Sequence, residues 1–480
     1  VLTRYHKLFG EETYFLTGTD EHGQKVQSAA EARGLDPQVH VDELVERFRE
    51  IWKELEIDYD FFIRTTMPFH KKVVQDCLQT LFDKGEIYED SYEGWYSVSE
   101  EMFYSERELV DGKSPLGKEV KKITEKNYFF KMSKYQDQLL KHIEDNPQFI
   151  QPDTKKNEVL GFLSKPLTDL CISRPKSRLA WGVELPFDKD YVTYVWFDAL
   201  LNYVTALGYG QGEEKEELFN QFWQDAIHLI GKDILTTHSV YWPTMLMALE
   251  IPLPKQIFAH GWWLNEDDAK MSKSEGKVVS PLDMKDIVGV DGLRYFLSRE
   301  IYLGNDAKFS KALVVSKLNA ELANNLGNLM SRTVKLACKN FDGVPPSSAK
   351  DPRTSALVEL ALGTPRKVRE EIIAMSPNTA IGHIVDLLDA TNKYLDALAP
   401  WKAVKEDKDS AAESLYAALE VLRISAILLS PVMPLKMAEL LERLGASDTN
   451  ISAAETWGVL EAGSALTAGD PLFPRAELPS

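Results

Sequence analysis

The sequence predicts an α/β domain built on a parallel sheet, interrupted by a small β-rich insertion and followed by an all-α helix bundle. Three observations carry this reading. Short apolar strands run into polar, glycine-bearing turns and then helices at 12–26, 190–210, 225–251 and 255–264. That pattern suits a doubly wound sheet, which takes its ligands at the carboxyl ends of its strands. Residues 92–135 instead show short β-like runs, the turn signals Gly112-Lys113-Ser114-Pro115 and Leu116-Gly117, and no long helix. From about residue 312 onward the apolar pattern is helical.

In chain order, Tyr14 to Leu16 reads as a strand running into Thr17-Gly18-Thr19-Asp20-Glu21-His22-Gly23. Residues 41–57 form an amphipathic helix, with Val41, Leu44, Val45, Phe48, Ile51, Trp52 and Leu55 at spacings of three and four and acidic residues in the first turn. The segment "DYVTYVWFDALLNYVTALGYG" predicts a strand and then a helix closed by Gly208 and Gly210. A strand at 226–230 leads through Gly231-Lys232-Asp233 into another helix, and a third strand ends at His260-Gly261. The bundle helices are expected at 312–340, 354–375, 377–398, 409–428 and 433–444, with 344–352 as a loop. The divisions expected are 1–90 for the first part of the α/β domain, 91–135 for the β-rich insertion, 136–262 for the remainder of the insertion and the second half of the α/β domain, 263–315 for the Lys270–Ser274 loop and a connecting domain, and 316–480 for the bundle.

Bulk composition narrows the class. The chain has 480 residues, 44% hydrophobic and 27% charged, as in an ordinary globular protein. No run approaches the ~18–20 apolar residues of a membrane span. The three cysteines, Cys77, Cys171 and Cys338, are far apart, which suits a reducing compartment rather than a disulfide framework. A net charge of −19 argues against nonspecific nucleic-acid binding but leaves room for a local basic patch.

Four stretches could carry chemistry, and each has an ordinary alternative. Lys270-Met271-Ser272-Lys273-Ser274 alone is a solvated surface loop by default. Its place after a strand end bearing His260 makes a phosphate clamp plausible, because two ammonium groups and adjacent hydroxyls can hold polyphosphate. Thr17 or Thr19 could be simple helix caps. Asp20, Glu21 and His22 together exceed what a cap needs, and a carboxylate there could anchor an amine or a ribose hydroxyl. Trp196 and Tyr203, seven apart, could share a helix face lining an apolar slot, though such stretches are usually core. Gly231 and Asp233 sit at a strand-to-helix turn with His238 a turn further on, and a lone His there is usually a core residue. No Ser–His–Asp or Cys–His arrangement stands out.

Taken together, "TGTDEHG", "VWFDAL", "GKDI…H…WP", "KMSKS" and "NLMSR…APW", in that order, resemble the methionyl-tRNA synthetase family, class I aminoacyl-tRNA synthetases, in its bacterial and mitochondrial-like branch. The resemblance covers essentially the whole chain and implies a Rossmann-like catalytic domain followed by an anticodon-binding helix bundle. It implies methionine and ATP as substrates with Mg2+, and tRNA(Met) as partner. The methionine carboxylate would attack the ATP α-phosphate, and the tRNA terminal ribose hydroxyl would then attack the adenylate carbonyl. No protein nucleophile is needed, so alignment and charge stabilisation would supply the catalysis.

The resemblance also implies residue roles. Asp20 would hold the methionine amino group, with Arg174 orienting that carboxylate. Trp196, Ala199, Tyr203, Ile234 and His238 would line the thioether pocket. Gly231 and Asp233 would contact adenosine, with Asp233 on the ribose and His260 and Gly261 at the adenine edge. Lys270 and Lys273, with Ser272, would close over the ATP phosphates. Asn328, Arg332, Pro400 and Trp401 would read the anticodon, where an aromatic ring can stack on an unpaired base.

Two departures follow. The family's HIGH signature belongs upstream of Val1, so an N-terminal truncation and poor adenylate formation are expected. Relatives often carry zinc on "GWYCxxC", whereas Ser97 and Glu100 stand at those positions, so no zinc is expected. A cytoplasmic monomer without membrane attachment is expected. The alternatives are another class I synthetase, a catalytically dead tRNA-binding relative, or a small-molecule adenylyltransferase. The first would need an editing insertion or an active-centre zinc site that the sequence does not offer.

Overall fold

The computed structural model describes residues 1–97, 102–104, 109–265, 279–346 and 350–478. The chain forms two compact units, one of Tyr14–Lys53 with Ile57–His260 and one of Val1–Thr13, Glu54–Glu56 and Gly261–Ser480.

The first unit is α/β. Strand Leu16–Thr19 runs parallel to Phe61–Arg64, in register from Leu16 opposite Phe61 to Thr19 opposite Arg64. The strand therefore begins where the sequence reading ended it and takes in the polar Thr-Gly-Thr. Backbone pairing, not side-chain apolarity, sets its extent. Gly18 is required there, because a Cβ would lie 2.0 Å from the Ile63 carbonyl oxygen. A second parallel sheet has Gln256–His260 in its centre, flanked by Ile227–Gly231 and Ile150–Gln151.

The "DYVTYV" strand differs from expectation. Asp188–Thr193 lies in an antiparallel sheet between Ser173–Pro175 and Glu184–Leu185. Only Pro186 and Phe187 separate it from Glu184–Leu185. So short a connection can make a hairpin but not the crossover a parallel pair needs. The insertion is a long antiparallel hairpin, Ile87–Ser97 with Lys121–Phe130. Ser97 is buried at its end, and Glu100 lies outside the described residues. The amphipathic helix spans Pro37–Glu54 and buries His40, Val41 and Val45, while Phe48 stays 38% exposed. Phe130, Phe149, Phe197, Trp223 and Trp242 form the heart of this unit's core.

The second unit is helical. Lys408–Leu429 runs through its middle and is buried continuously from Ala411 to Leu429. Proline occupies the first turn of Pro281–Glu300, Pro352–Ile373, Pro377–Leu398, Pro400–Glu406 and Pro434–Arg443, where its missing N–H is no loss. The helix expected at 312–340 is three pieces: Lys311–Leu318, a π-helical stretch Asn319–Gly327, and Asn328–Phe341. Helix Leu2–Leu8 also belongs to this unit, with Tyr5 fully buried, whereas the sequence reading grouped it with the α/β domain.

Candidate functional site

At the carboxyl end of strand Leu16–Thr19 the chain places Asp20, Glu21 and His22 in succession. Glu21 is buried and fully engaged. Its carboxylate accepts from Thr19 Oγ1 at 2.7 Å, from Arg64 Nε at 2.7 Å and from the Thr66 hydroxyl. It is therefore a structural anchor between the two strands. His22 Nδ1 lies 2.5 Å from Asp198 Oδ2, and His70 Nε2 lies 2.9 Å from Asp198 Oδ1. His70 Nδ1 meets Thr205 Oγ1 at 2.8 Å. All three of His22, His70 and Asp198 are buried.

These neighbours divide the local charge. Burial alone would raise the Asp198 carboxyl, but the flanking imidazoles of His22 and His70 hold it below the usual carboxylate range. Asp20 keeps surface open to solvent while sitting in a recess densely walled by protein. Desolvation there, with the Asp198 carboxylate adding repulsion, pushes Asp20 up to about 6 against the opposing pull of His70 and His22. Two carboxylates in one site are thus shifted in opposite directions, a frequent mark of a functional centre.

Beside this recess lies a cluster of rings. Trp196 and Tyr203 do not share one helix face, because they sit on separate short helices, Val195–Leu200 and Asn202–Thr205. They meet instead at His238, whose ring lies 6.4 Å from Trp196 and 5.8 Å from Tyr203. His238 belongs to a π-helical turn, Thr237–Tyr241, a local widening that often marks functional positions. Its Nδ1 donates to the Ile234 carbonyl at 3.0 Å, so its Nε2 carries the lone pair that accepts from the Tyr203 hydroxyl at 2.9 Å. Burial pushes His238 down to about 4, so the ring is neutral at physiological pH. Burial, with the Asp20 charge nearby, raises the Tyr203 hydroxyl. Ala199 is buried and Ile234 half-buried in the same unit. The result is an apolar aromatic lining with one neutral polar tip.

The adjacent parallel strands end together, Gly231 opposite His260. A Cβ on Gly231 would meet Asp233 Oδ1 at 2.6 Å, so the exposed Asp233 side chain folds across the strand end. Arg174 is buried between two rings, 5.4 Å from Tyr96 and 4.8 Å from Tyr194, and donates to the Ser173 carbonyl at 2.7 Å. In the helical unit, Gly261 is pressed against the Asn305 backbone, where a Cβ would lie 2.0 Å from its oxygen. Lys270, Ser272 and Lys273 fall outside the described residues.

The helical unit holds a separate candidate surface. Arg332 lies 5.7 Å from the Trp401 ring, donates to Asn392 Oδ1 at 2.7 Å and reaches Asp396 at 3.3 Å. A cavity of about 280 Å³ opens there, lined among others by Arg332, Lys335, Lys339, Pro400 and Trp401. Trp401 is 41% exposed, an unusual state for so large an apolar ring. Asn328 is exposed one turn before Arg332 on the same helix.

The structure adds His70, Asp198 and His228, which sequence reasoning passed over, and gives His22 a partner that such reasoning could not assign. His22 and Asp198 stood inside motifs already singled out. His70, in "MPFHKK", carried no local signal, since Asp198 lies 128 positions along the chain, and His228, in "DAIHLIG", reads as an ordinary buried strand residue until the fold brings Trp242 to it.

Comparison with known proteins places the chain in a family. Residues 1–124 and 107–334 match the family of tRNA synthetases class I (M), and residues 344–477 match the anticodon binding domain of methionyl tRNA ligase. The chain is 45% identical over 482 residues to the methionine–tRNA ligase of Clostridium perfringens, covering 99% of this chain and 74% of that protein. It is 43% identical over 496 residues to the enzyme of Bacillus subtilis, with the same shares. Among solved structures, Mycobacterium tuberculosis methionyl-tRNA synthetase bound by methionyl-adenylate superposes with a TM-score of 0.93 at 40% identity, over 98% of this chain and 94% of that one. Its apo form gives 0.86 at 37% identity, over 100% and 93%. The chain belongs to the methionyl-tRNA synthetase family of class I aminoacyl-tRNA synthetases.

Proposed function

We propose that this methionine–tRNA ligase captures methionine between Asp20 and the aromatic slot of Trp196, Ala199, Tyr203, Ile234 and His238. The observation that carries this reading is the ring cluster of Trp196, Tyr203 and His238 with its neutral polar tip, near enough to Asp20 for that carboxylate to raise the Tyr203 hydroxyl. The carboxylate suits the substrate ammonium. The slot suits a straight thioether chain, and the Tyr203 and His238 tips offer weak polar contact to its sulfur. Arg174 acts near the amino-acid end, in line with the role the family resemblance gives it.

ATP is the second substrate, and we assign its adenosine to Gly231, Asp233, His260 and Gly261. A glycine at a strand end allows close backbone approach, and the Asp233 carboxylate can accept from ribose hydroxyls. Lys270 and Lys273, with Ser272, are the phosphate-facing groups, supported by their charge and their match to the KMSKS signature. Magnesium would be held mainly by the triphosphate. Among the described residues no group of three His, Cys, Asp or Glu side chains has the arrangement to hold a metal ion, and magnesium commonly binds through one or two carboxylates plus phosphate oxygens. For the insertion we propose no zinc, because Ser97 offers a hydroxyl where a tetrahedral site wants thiolate or imidazole. One zinc per chain by metal analysis would overturn that.

Asn328, Arg332, Pro400 and Trp401 are assigned to the tRNA anticodon. The protein is proposed to be a cytoplasmic monomer, the first supported by its few, widely spaced cysteines and the second open to sedimentation analysis. No helix among the described residues is long and apolar enough to cross a membrane. The slot is tested by equilibrium binding. His238→Ala is expected to weaken methionine about tenfold, through a lost ring and an orphaned Tyr203 hydroxyl, with ATP affinity unchanged. Wild-type methionine affinity in that variant would contradict the assignment.

A further inference from the structure

Tyr203 is held from two sides, and only one of them belongs to the slot described above. Its hydroxyl donates to His238 Nε2 at 2.9 Å. Its ring face stacks on His228, with centroids 4.2 Å apart and 24° between planes. His228 is buried on strand Ile227–Gly231, three residues before Gly231. Its Nε2 accepts the indole N–H of Trp242 at 3.1 Å, so the proton of the neutral ring sits on Nδ1. Burial, helped by repulsion from His238, pushes His228 down to about 3, so the ring carries no charge at neutral pH. Trp242 is braced edge-on by Trp223 at 6.1 Å, and both indoles are buried.

We propose that His228 is a positioning residue for methionine: by stacking beneath Tyr203 it fixes the plane of that ring and so sets the width of the thioether slot, without touching the amino acid. A tyrosine held only by its hydroxyl can still swing about that hydrogen bond. A flat ring against its face removes the freedom. The choice of histidine over phenylalanine follows from Trp242, whose buried N–H needs an acceptor on the same ring. The inference rests on Tyr203 and His238 lining the methionine site.

The test measures dissociation constants for methionine, for ethionine (one methylene longer) and for ATP on the intact chain. His228→Ala is expected to weaken methionine about tenfold and to shrink the preference for methionine over ethionine, with ATP binding unchanged. The paired variant His228→Phe with Trp242→Phe keeps a flat ring and removes the orphaned donor. It is expected to return methionine affinity to within about threefold of wild type. The proposal is overturned if His228→Ala keeps wild-type affinity and preference. It is equally overturned if methionine and ATP weaken together with the preference intact and the paired variant recovers nothing, since that pattern is loss of fold. Tyr203→Ala separates the two levels. If it binds methionine normally, the slot itself is misplaced and this inference goes with it. If Tyr203→Ala weakens methionine while His228→Ala does not, only the role of His228 falls.

Discussion

Asp20 is the residue on which the chemistry turns, and its environment works against its own ionisation. Folding carries its carboxyl from the ordinary 3.8 to about 6, first by desolvation and then by the neighbouring Asp198. Between those values the native state holds a proton that the unfolded chain has released. Ionisation therefore opposes folding fully above pH 6 and not at all below 3.8. Asp20→Asn is expected to melt at a higher temperature than wild type at pH 7.5, with the difference closing as pH approaches 4. A variant that melts lower at pH 7.5 would show that the carboxylate stabilises the fold, against the account. His22 and His70 hydrogen-bond the Asp198 carboxylate directly and keep it ionised, while Asp20, shifted first by desolvation, feels only their weaker opposing pull.

At the scale of elements, the helices were the most legible part of the sequence. Proline at the first turn and side-chain caps at Ser310, Asp351, Asp407 and Asn450 state helix starts locally. Strand partners are long-range facts and were read less well. The antiparallel placement of Asp188–Thr193 could have been inferred from its two-residue connection, but its apolar run suggested a parallel strand. The KMSKS loop is legible from residue identity and from its place after the His260 strand end. The His22–Asp198–His70 cluster was not, because its members lie 176 and 128 positions apart.

The central helix of the second unit shows the same limit. Glu420 and Arg423, both fully buried, pair at 2.7 Å. Arg423 also donates to the Ala453 and Thr456 carbonyls at 2.7 Å each, and Glu420 accepts from the Gly458 and Leu460 amides at 3.0 and 2.7 Å. The pair staples the 453–460 segment to the helix with its hydrogen bonds satisfied. Removing one partner strands the other charge, so Arg423→Met is expected to lower unfolding free energy by about 3–5 kcal/mol in urea titration. The double variant Glu420→Gln with Arg423→Met should recover part of that loss. A single variant as stable as wild type would mean the pair is not buried as described.

For the whole molecule, a net charge of −19 repels RNA, so recognition must concentrate where cations and exposed rings coincide. The cavity bordered by Arg332, Lys335, Lys339 and Trp401 is such a place in the helical unit. Trp401→Ala is expected to weaken tRNA(Met) binding by about 1–3 kcal/mol, the usual range for losing one base-stacking ring, and to leave methionine affinity unchanged. Equal tRNA affinity in gel-shift titration would remove Trp401 from the interface.

Methionine capture by an ionised Asp20 is the claim from which the other assignments follow. It is tested most directly by titrating methionine binding calorimetrically between pH 5 and pH 8 on wild type and on Asp20→Asn. Wild-type affinity is expected to be flat above pH about 6.5 and to fall by up to about tenfold per unit below 6, as the carboxylate takes up its proton. The variant should bind weakly, with that step absent. An Asp20→Asn protein that binds methionine as tightly as wild type, with the same pH dependence, would contradict it.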